Sequence, residues 1–186
     1  MVGGNISQRC CEALAEAALS VPDGGVILDL NCGEGRSTLS MAFALDSVER
    51  DEVSILAVDN HVTNAKSSTP HEDGTILKFL QNLRFYKSLH RVVPMVMSVS
   101  KVSQILNRKC ANMVVVQVVT NDLTQVSQDI ETAKFALRAK GTIVVCLSNP
   151  DKMLWNGLRR VLPENSYTLT YDSQELRIYE SGKKGG

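Results

Sequence analysis

The sequence predicts an α/β protein with a doubly wound, mostly parallel seven-stranded sheet, helices on both faces and an antiparallel hairpin at the C-terminal end. Three observations lead there. Short apolar runs rich in Val, Ile and Leu recur along the chain, as parallel strands buried on both faces require. Each is followed by a segment of helical periodicity, and strand-helix alternation with right-handed crossovers makes an open parallel sheet. After the last helical segment the rhythm changes to two alternating runs around a short polar turn, a hairpin signal.

The elements follow in order. Residues 5–19 (NISQRCCEALAEAAL) are rich in Ala, Leu and Glu at helical spacing, and Asn5 with Gln8 has the form of a capping box, so an opening helix is expected. Pro22-Asp23-Gly24-Gly25 breaks it, and the run from Val26 is a first strand ending near Asp29. A glycine-bearing turn leads to a helix over Ser37 to Leu45, and a second strand, Val53 to Asp59, ends in another acid. His61 to Asp73 is a polar loop; Thr75 to Leu89 then carries Ile76, Phe79, Leu80 and Leu83 on one helical stripe. Strand Arg91 to Met97, helix Ser100 to Asn107, strand Asn112 to Val119, helix Leu123 to Ala139 and strand Thr142 to Leu147 repeat the alternation. A helix from Asp151 to Val161 stops before Pro163. The hairpin then pairs Ser166 to Tyr171, with Leu169 inward, against Leu176 to Glu180. Residues 1–181 read as a single domain, and residues 182–186, with no apolar anchor, as a disordered tail.

Composition excludes several classes. With 44% apolar residues and 20 basic against 20 acidic side chains, the chain is not wholly disordered and has no electrostatic bias toward nucleic acid or an anionic membrane. No apolar run approaches the roughly 18 residues of a spanning helix, and the amino terminus lacks the basic flank and apolar core of a secretory signal. A cytoplasmic protein is expected. The five cysteines are odd in number, and Cys10 and Cys11 are adjacent, which suits reduced core thiols better than disulfides or structural zinc.

Chemistry concentrates in Asp29-Leu30-Asn31-Cys32-Gly33-Glu34-Gly35-Arg36-Ser37-Thr38, between the first strand and its helix. Ligands of doubly wound folds bind outside the carboxyl ends of the strands, where glycines let the backbone turn and approach a ligand. Asn31 is compatible because Asn tolerates a left-handed backbone. Asp59 lies 24 residues beyond Gly35, near the spacing at which an acid after the second strand accepts ribose hydroxyls, so an adenosine-type ligand is expected. Thr38 occupies the place of the third glycine in the nicotinamide fingerprint GxGxxG, which weighs against a dinucleotide.

The same segment resembles the first motif of class I methyltransferases that use S-adenosylmethionine, an acid followed by GxGxG, with Asn31 in the first glycine's place. Arg36-Ser37-Thr38-Leu39, Asp129-Ile130-Glu131 and the run from Arg138 to Val145 look like the small-molecule O-methyltransferase-like branch, and the terminal hairpin is similar to that family's sixth and seventh strands. The resemblance covers residues 5–180. It implies a Rossmann-like fold and S-adenosyl-L-methionine as cofactor. It also implies a site in which Asp29 lies beneath the methionine amino group, and Asn31, Cys32, Gly33 and Gly35 wrap the methionyl and ribose portions. Asp59 would take the ribose hydroxyls, Asn60 would flank the adenine, and Ser98, or Ser100 in the other alignment, would face the adenine amino group.

The departures from the family shape the expected function. The strand-four acids of the branch are replaced by Val116-Gln117-Val118-Val119-Thr120, with Asp122 the nearest acid, and the acid after strand five by Ser148-Asn149. A hard divalent cation needs carboxylate oxygens, so no catalytic metal is expected. The Asn-Pro-Pro-Tyr motif of nucleic-acid amino methyltransferases is absent. The expected activity is metal-independent methyl transfer to an oxygen or nitrogen of a small-molecule or protein acceptor, with no catalytic residue assigned. The alternative, motivated by Asn31, Gln117 and the missing acids, is a non-catalytic binding or scaffold protein. The substrate pocket is expected from the opening helix, the loop His61 to Asp73 and the loops after strands four and five. His61 and His71 read as solvated loop histidines, His90 as a surface residue, and Trp155 as packing against sheet and hairpin.

Overall fold

The computed structural model describes residues 2, 6–61, 75–148 and 152–182. Its helices are α1 (Gln8–Leu19), α2 (Arg36–Ser47), α3 (Thr75–Phe85), α4 (Val102–Ile105), α5 (Leu123–Ala136) and α6 (Lys152–Val161). Its strands are β1 (Val26–Leu30), β2 (Ser54–Asp59), β3 (Val92–Val96), β4 (Ala111–Val118), β5 (Leu137–Leu147), β6 (Tyr167–Asp172) and β7 (Leu176–Ser181). All seven form one sheet of order β3-β2-β1-β4-β5-β7-β6. The first five run parallel, and β7 is antiparallel to both β5 and β6. This is the predicted mostly parallel sheet with its C-terminal hairpin, β7 being inserted between β5 and the edge strand β6. The order reverses between β1 and β4, which places a switch point at their carboxyl ends.

Side chains alternate across each strand, so the sheet has two cores. Ile27, Ile55 and Met113 join Leu14, Met41, Leu45 and Phe79 of α1, α2 and α3 on one face. Leu28, Val114 and Val145 join Val102, Ile130 and Leu158 of α4, α5 and α6 on the other. Each fully buried Leu or Ile contributes about 1.5–3 kcal/mol relative to exposure, which explains why the strands read as nearly unbroken apolar runs.

Several boundaries differ from expectation for local reasons. α1 starts at Gln8, where the Ser7 hydroxyl accepts the Cys10 amide at 3.2 Å; Asn5, the expected cap, lies outside the described residues. α3 stops at Phe85 because Lys87 takes a left-handed φ of 59°, and Ser88–His90 becomes a single 3-10 turn. The Ser100 to Asn107 segment divides into a 3-10 turn, Val99–Lys101, and the short α4. α5 ends at Ala136 and β5 begins at Leu137, which pairs with Ala111 ahead of an irregularity in the ladder. Leu169 is 41% exposed rather than inward, since the register shift between Leu169 and Tyr171 interrupts the alternation on the edge strand. The tail residues 183–186 and Asp151 lie outside the described residues.

Trp155 is buried as expected, donating Nε1–H to the Gln174 carbonyl at 2.9 Å under the Arg177 guanidinium, 4.3 Å from the ring centroid. The five cysteines are free thiols, four of them buried. Arg91 is the largest buried polar side chain: it donates to Asp46 at 2.7 Å and to the Arg50 and Val53 carbonyls, tying the α2–β2 connection to the start of β3. Among the described residues no helix is long and apolar enough to cross a membrane.

Candidate functional site

A cavity of about 790 Å³ opens at the carboxyl ends of β1, β2, β3 and β4, where the strand order reverses. Loop residues after each of these strands line it, joined by Gln125 and Asp129 from α5. Six of the eight residues anticipated for the cofactor are on its wall: Asn31, Cys32, Gly33, Asp59, Asn60 and Ser98. Asp29 and Gly35 are not among its lining residues; they stand behind the loop and shape it.

Asp29 is fully buried and accepts three hydrogen bonds, from Ser37 Oγ and Thr38 Oγ1 at 2.7 Å each and from Gln117 Nε2 at 3.2 Å. Burial pushes its carboxyl above the ordinary aspartate range, against the pull of these donors. Thr38, in the place of the third glycine of a dinucleotide loop, is thus committed to Asp29. Gly35 caps α2 with a left-handed φ of 92°, and a Cβ there would stand 2.7 Å from the buried Phe79 ring. Gly35→Ala is therefore expected to cost about 2 kcal/mol from backbone strain plus overpacking, seen as a lowered urea midpoint with unchanged slope; an unaltered midpoint would contradict this packing.

The two departures from the family pattern, Asn31 and Gln117, belong to one network. Asn31 takes the left-handed conformation expected of it, φ 60°, and its Nδ2 donates to the Gln117 carbonyl and to Asp129 Oδ2, both at 3.0 Å. Gln117 donates from Nε2 to Asp29 and, at 2.6 Å, to Ser37 Oγ. An acid in Gln117's place would set a second carboxylate against buried Asp29, whereas the amide supplies a donor. Asp59 organises the other side of the loop: Oδ2 accepts the Gly33 amide at 2.9 Å and Oδ1 the His61 amide at 2.6 Å. A carboxylate has about four acceptor positions, so both oxygens keep capacity for a ligand.

His61 is buried, not solvated. Its left-handed φ of 49° folds the ring back against Phe79, centroids 5.5 Å apart, and burial lowers its pKa despite nearby Asp59. His71 lies outside the described residues, and His90 is exposed and faces Asp46. The opening helix does not line this cavity; with the hairpin it borders a separate one of about 230 Å³. Most of the His61 to Asp73 loop and residues 149–151 after β5, both expected around the substrate, lie outside the described residues. Among the described residues, the cluster of potential metal ligands is Asp46, Asp51 and His90, at the opposite edge of the sheet, where Arg91 bridges both aspartates.

Gln125 is a cavity residue that the sequence did not point to, and Asp129 and Arg36, which carry part of the family resemblance, were given no place in the site. A signal existed for Asp129: it falls on the buried stripe Val126, Asp129, Ile130, Ala133, at the helical i, i+3, i+4, i+7 spacing, where an acid has no place in a plain core. Four carboxylates, Glu34, Asp59, Asp122 and Asp129, line the cavity against one guanidinium, Arg36. This favours a cationic ligand and opposes a pyrophosphate.

No protein-family model matches the sequence, and no curated protein matches it either. Solved structures do match. A SAM-dependent O-methyltransferase from Thermotoga maritima superposes with a TM-score of 0.69 at 14% identity over 97% of this chain and 68% of its own. An rRNA methylase from Streptococcus thermophilus gives 0.63 at 14% identity over 93% and 94%. A candidate rRNA methylase from Clostridium thermocellum gives 0.69 at 13% identity over 97% and 99%. The chain has the Rossmann-like fold of class I methyltransferases, as its first-loop motif and terminal hairpin imply.

Proposed function

We propose that this protein is a cytoplasmic methyltransferase that uses S-adenosyl-L-methionine to methylate an oxygen or nitrogen of a small-molecule or protein acceptor, without a catalytic metal. The observation that carries the reading is the switch-point cavity itself, with a ribose-type acid on β2, a glycine loop on β1 and an excess of carboxylates suited to a sulfonium cofactor. Similarity to methyltransferases acting on different acceptors supports the chemistry without choosing the acceptor.

The residues present fit the cofactor. Asp59 offers free acceptor positions to the ribose hydroxyls, the turn from Asn31 to Gly35 lets backbone approach the sulfonium, and Asn60 and Ser98 would border the adenine side. Bound S-adenosylmethionine would supply an electrophilic sulfonium methyl to the acceptor's lone pair, with S-adenosylhomocysteine as the leaving product. The chain's part is positioning, since a transferable methyl needs in-line approach more than acid-base help. Val119 and Thr120, beyond β4, border the cavity on the side left for the acceptor.

Calorimetric titration with S-adenosylmethionine, S-adenosylhomocysteine and NAD tests this. Micromolar binding of the first two and none of NAD is expected. Loss of all three signals would leave a scaffold protein, and NAD binding alone would replace the cofactor class.

A further inference from the structure

Asp129 is 5% exposed yet lines the cavity, and among the described residues no cation pairs with it. Its partners are two neutral amides, Gln125 Nε2 on Oδ1 at 2.9 Å and Asn31 Nδ2 on Oδ2 at 3.0 Å. Burial pushes its carboxyl above the ordinary range, so in the free protein its charge is poorly compensated. Buried carboxylates are normally matched by a positive partner, and here the open side of the group is the cavity.

The other carboxylates lining the cavity are all more exposed than Asp129 and have partners of their own. Asp122 caps α5 through the Thr124 amide, Glu34 faces Lys78 at 3.4 Å, and Asp59 holds the Gly33 and His61 amides. Asp29, the acid the family resemblance would set under the amino group, is fully buried with three donors of its own. At the start of α2, directly after Gly35, Arg36 lines the cavity and makes no ion pair among the described residues. One buried anion and one uncommitted cation flank the glycine loop, a charge pattern complementary to a zwitterionic amino acid.

We infer that Asp129, held in place by Asn31 and Gln125, is the counter-ion for the α-ammonium of the bound cofactor, with Arg36 receiving its carboxylate. This rests on the methyltransferase reading above and deepens it. It assigns Asn31 a positioning role: the residue that departs from the glycine motif orients the carboxylate that takes over from Asp29.

The test pairs ligand and protein changes. S-adenosylhomocysteine, its deamino analogue lacking the ammonium, and 5′-methylthioadenosine lacking the whole amino-acid end are titrated calorimetrically into the parent protein and Asp129→Asn at pH 7.5. In the parent, removing the ammonium is expected to weaken binding about ten- to hundredfold, the worth of a charge-assisted contact. In Asp129→Asn, S-adenosylhomocysteine weakens by a similar factor, its deamino analogue binds like the parent complex of that analogue, and methylthioadenosine stays within about twofold. The inference is overturned if the parent does not discriminate against the deamino analogue, or if Asp129→Asn weakens all three ligands equally. Failure of the parent to bind any of the three would instead overturn the cofactor assignment.

Discussion

Asp29→Ala is expected to destabilise the protein by about 3 kcal/mol. The substitution strips the acceptor from Ser37 Oγ, Thr38 Oγ1 and Gln117 Nε2, all on buried residues. Each buried donor left unsatisfied costs about 1–3 kcal/mol, and the gross loss is offset in part because a desolvated carboxylate is removed as well. Asp29→Asn keeps one acceptor oxygen and should lose about half as much. Urea unfolding monitored by circular dichroism measures both; an Asp29→Ala protein within about 0.5 kcal/mol of the parent would show that the network does not hold the loop. Because Ser37 and Thr38 open α2 and Gln117 belongs to β4, the damage should appear at the loop that joins them, and binding of S-adenosylhomocysteine should fall with stability.

Asp59→Ala is expected to weaken S-adenosylhomocysteine at least about tenfold, and up to about hundredfold, while leaving the sheet intact. Two effects add. The ribose loses charge-assisted hydrogen bonds worth about 1.5–3 kcal/mol each, and the Gly33 and His61 amides lose the acceptor that fixes both loops around the cavity. Asp59 lies at the end of β2 and is partly exposed, so the stability cost should stay well below that of Asp29→Ala. Calorimetry on the variant distinguishes the roles: unchanged affinity would remove Asp59 from the site. The contrast between the two aspartates is the sharper result, one chiefly a stability residue and the other chiefly a binding residue, though both lie near the carboxyl ends of parallel strands.

Much of this architecture was legible in the chain. Apolar runs that must be buried on both faces give the strands, and the acid-glycine turn after β1 announces the ligand loop because its requirements are local: a left-handed Asn31, a left-handed Gly35 and an acid one strand away. Six residues expected at the cofactor do line one cavity. Other features were hidden because they depend on neighbours distant in sequence. His61 looked like a loop residue until its backbone turned the ring onto Phe79, 18 positions further along. Arg91 looked like the polar start of a strand, but it closes the α2–β2 connection through Asp46 and two carbonyls.

By itself, the sequence determined the succession of strands and helices, the hairpin and the position of the glycine loop, since periodicity and turn chemistry act over a few residues. Only the tertiary structure decided which acids face the cavity. Asp29 and Asp129 differ in that respect because β4 brings Gln117 under the loop while α5 brings Asp129 over Asn31, contacts spanning 88 and 98 positions of chain. Such pairings follow from strand order and helix packing, so a carboxylate's role was set by the burial and donors it met after folding, which no local pattern encodes.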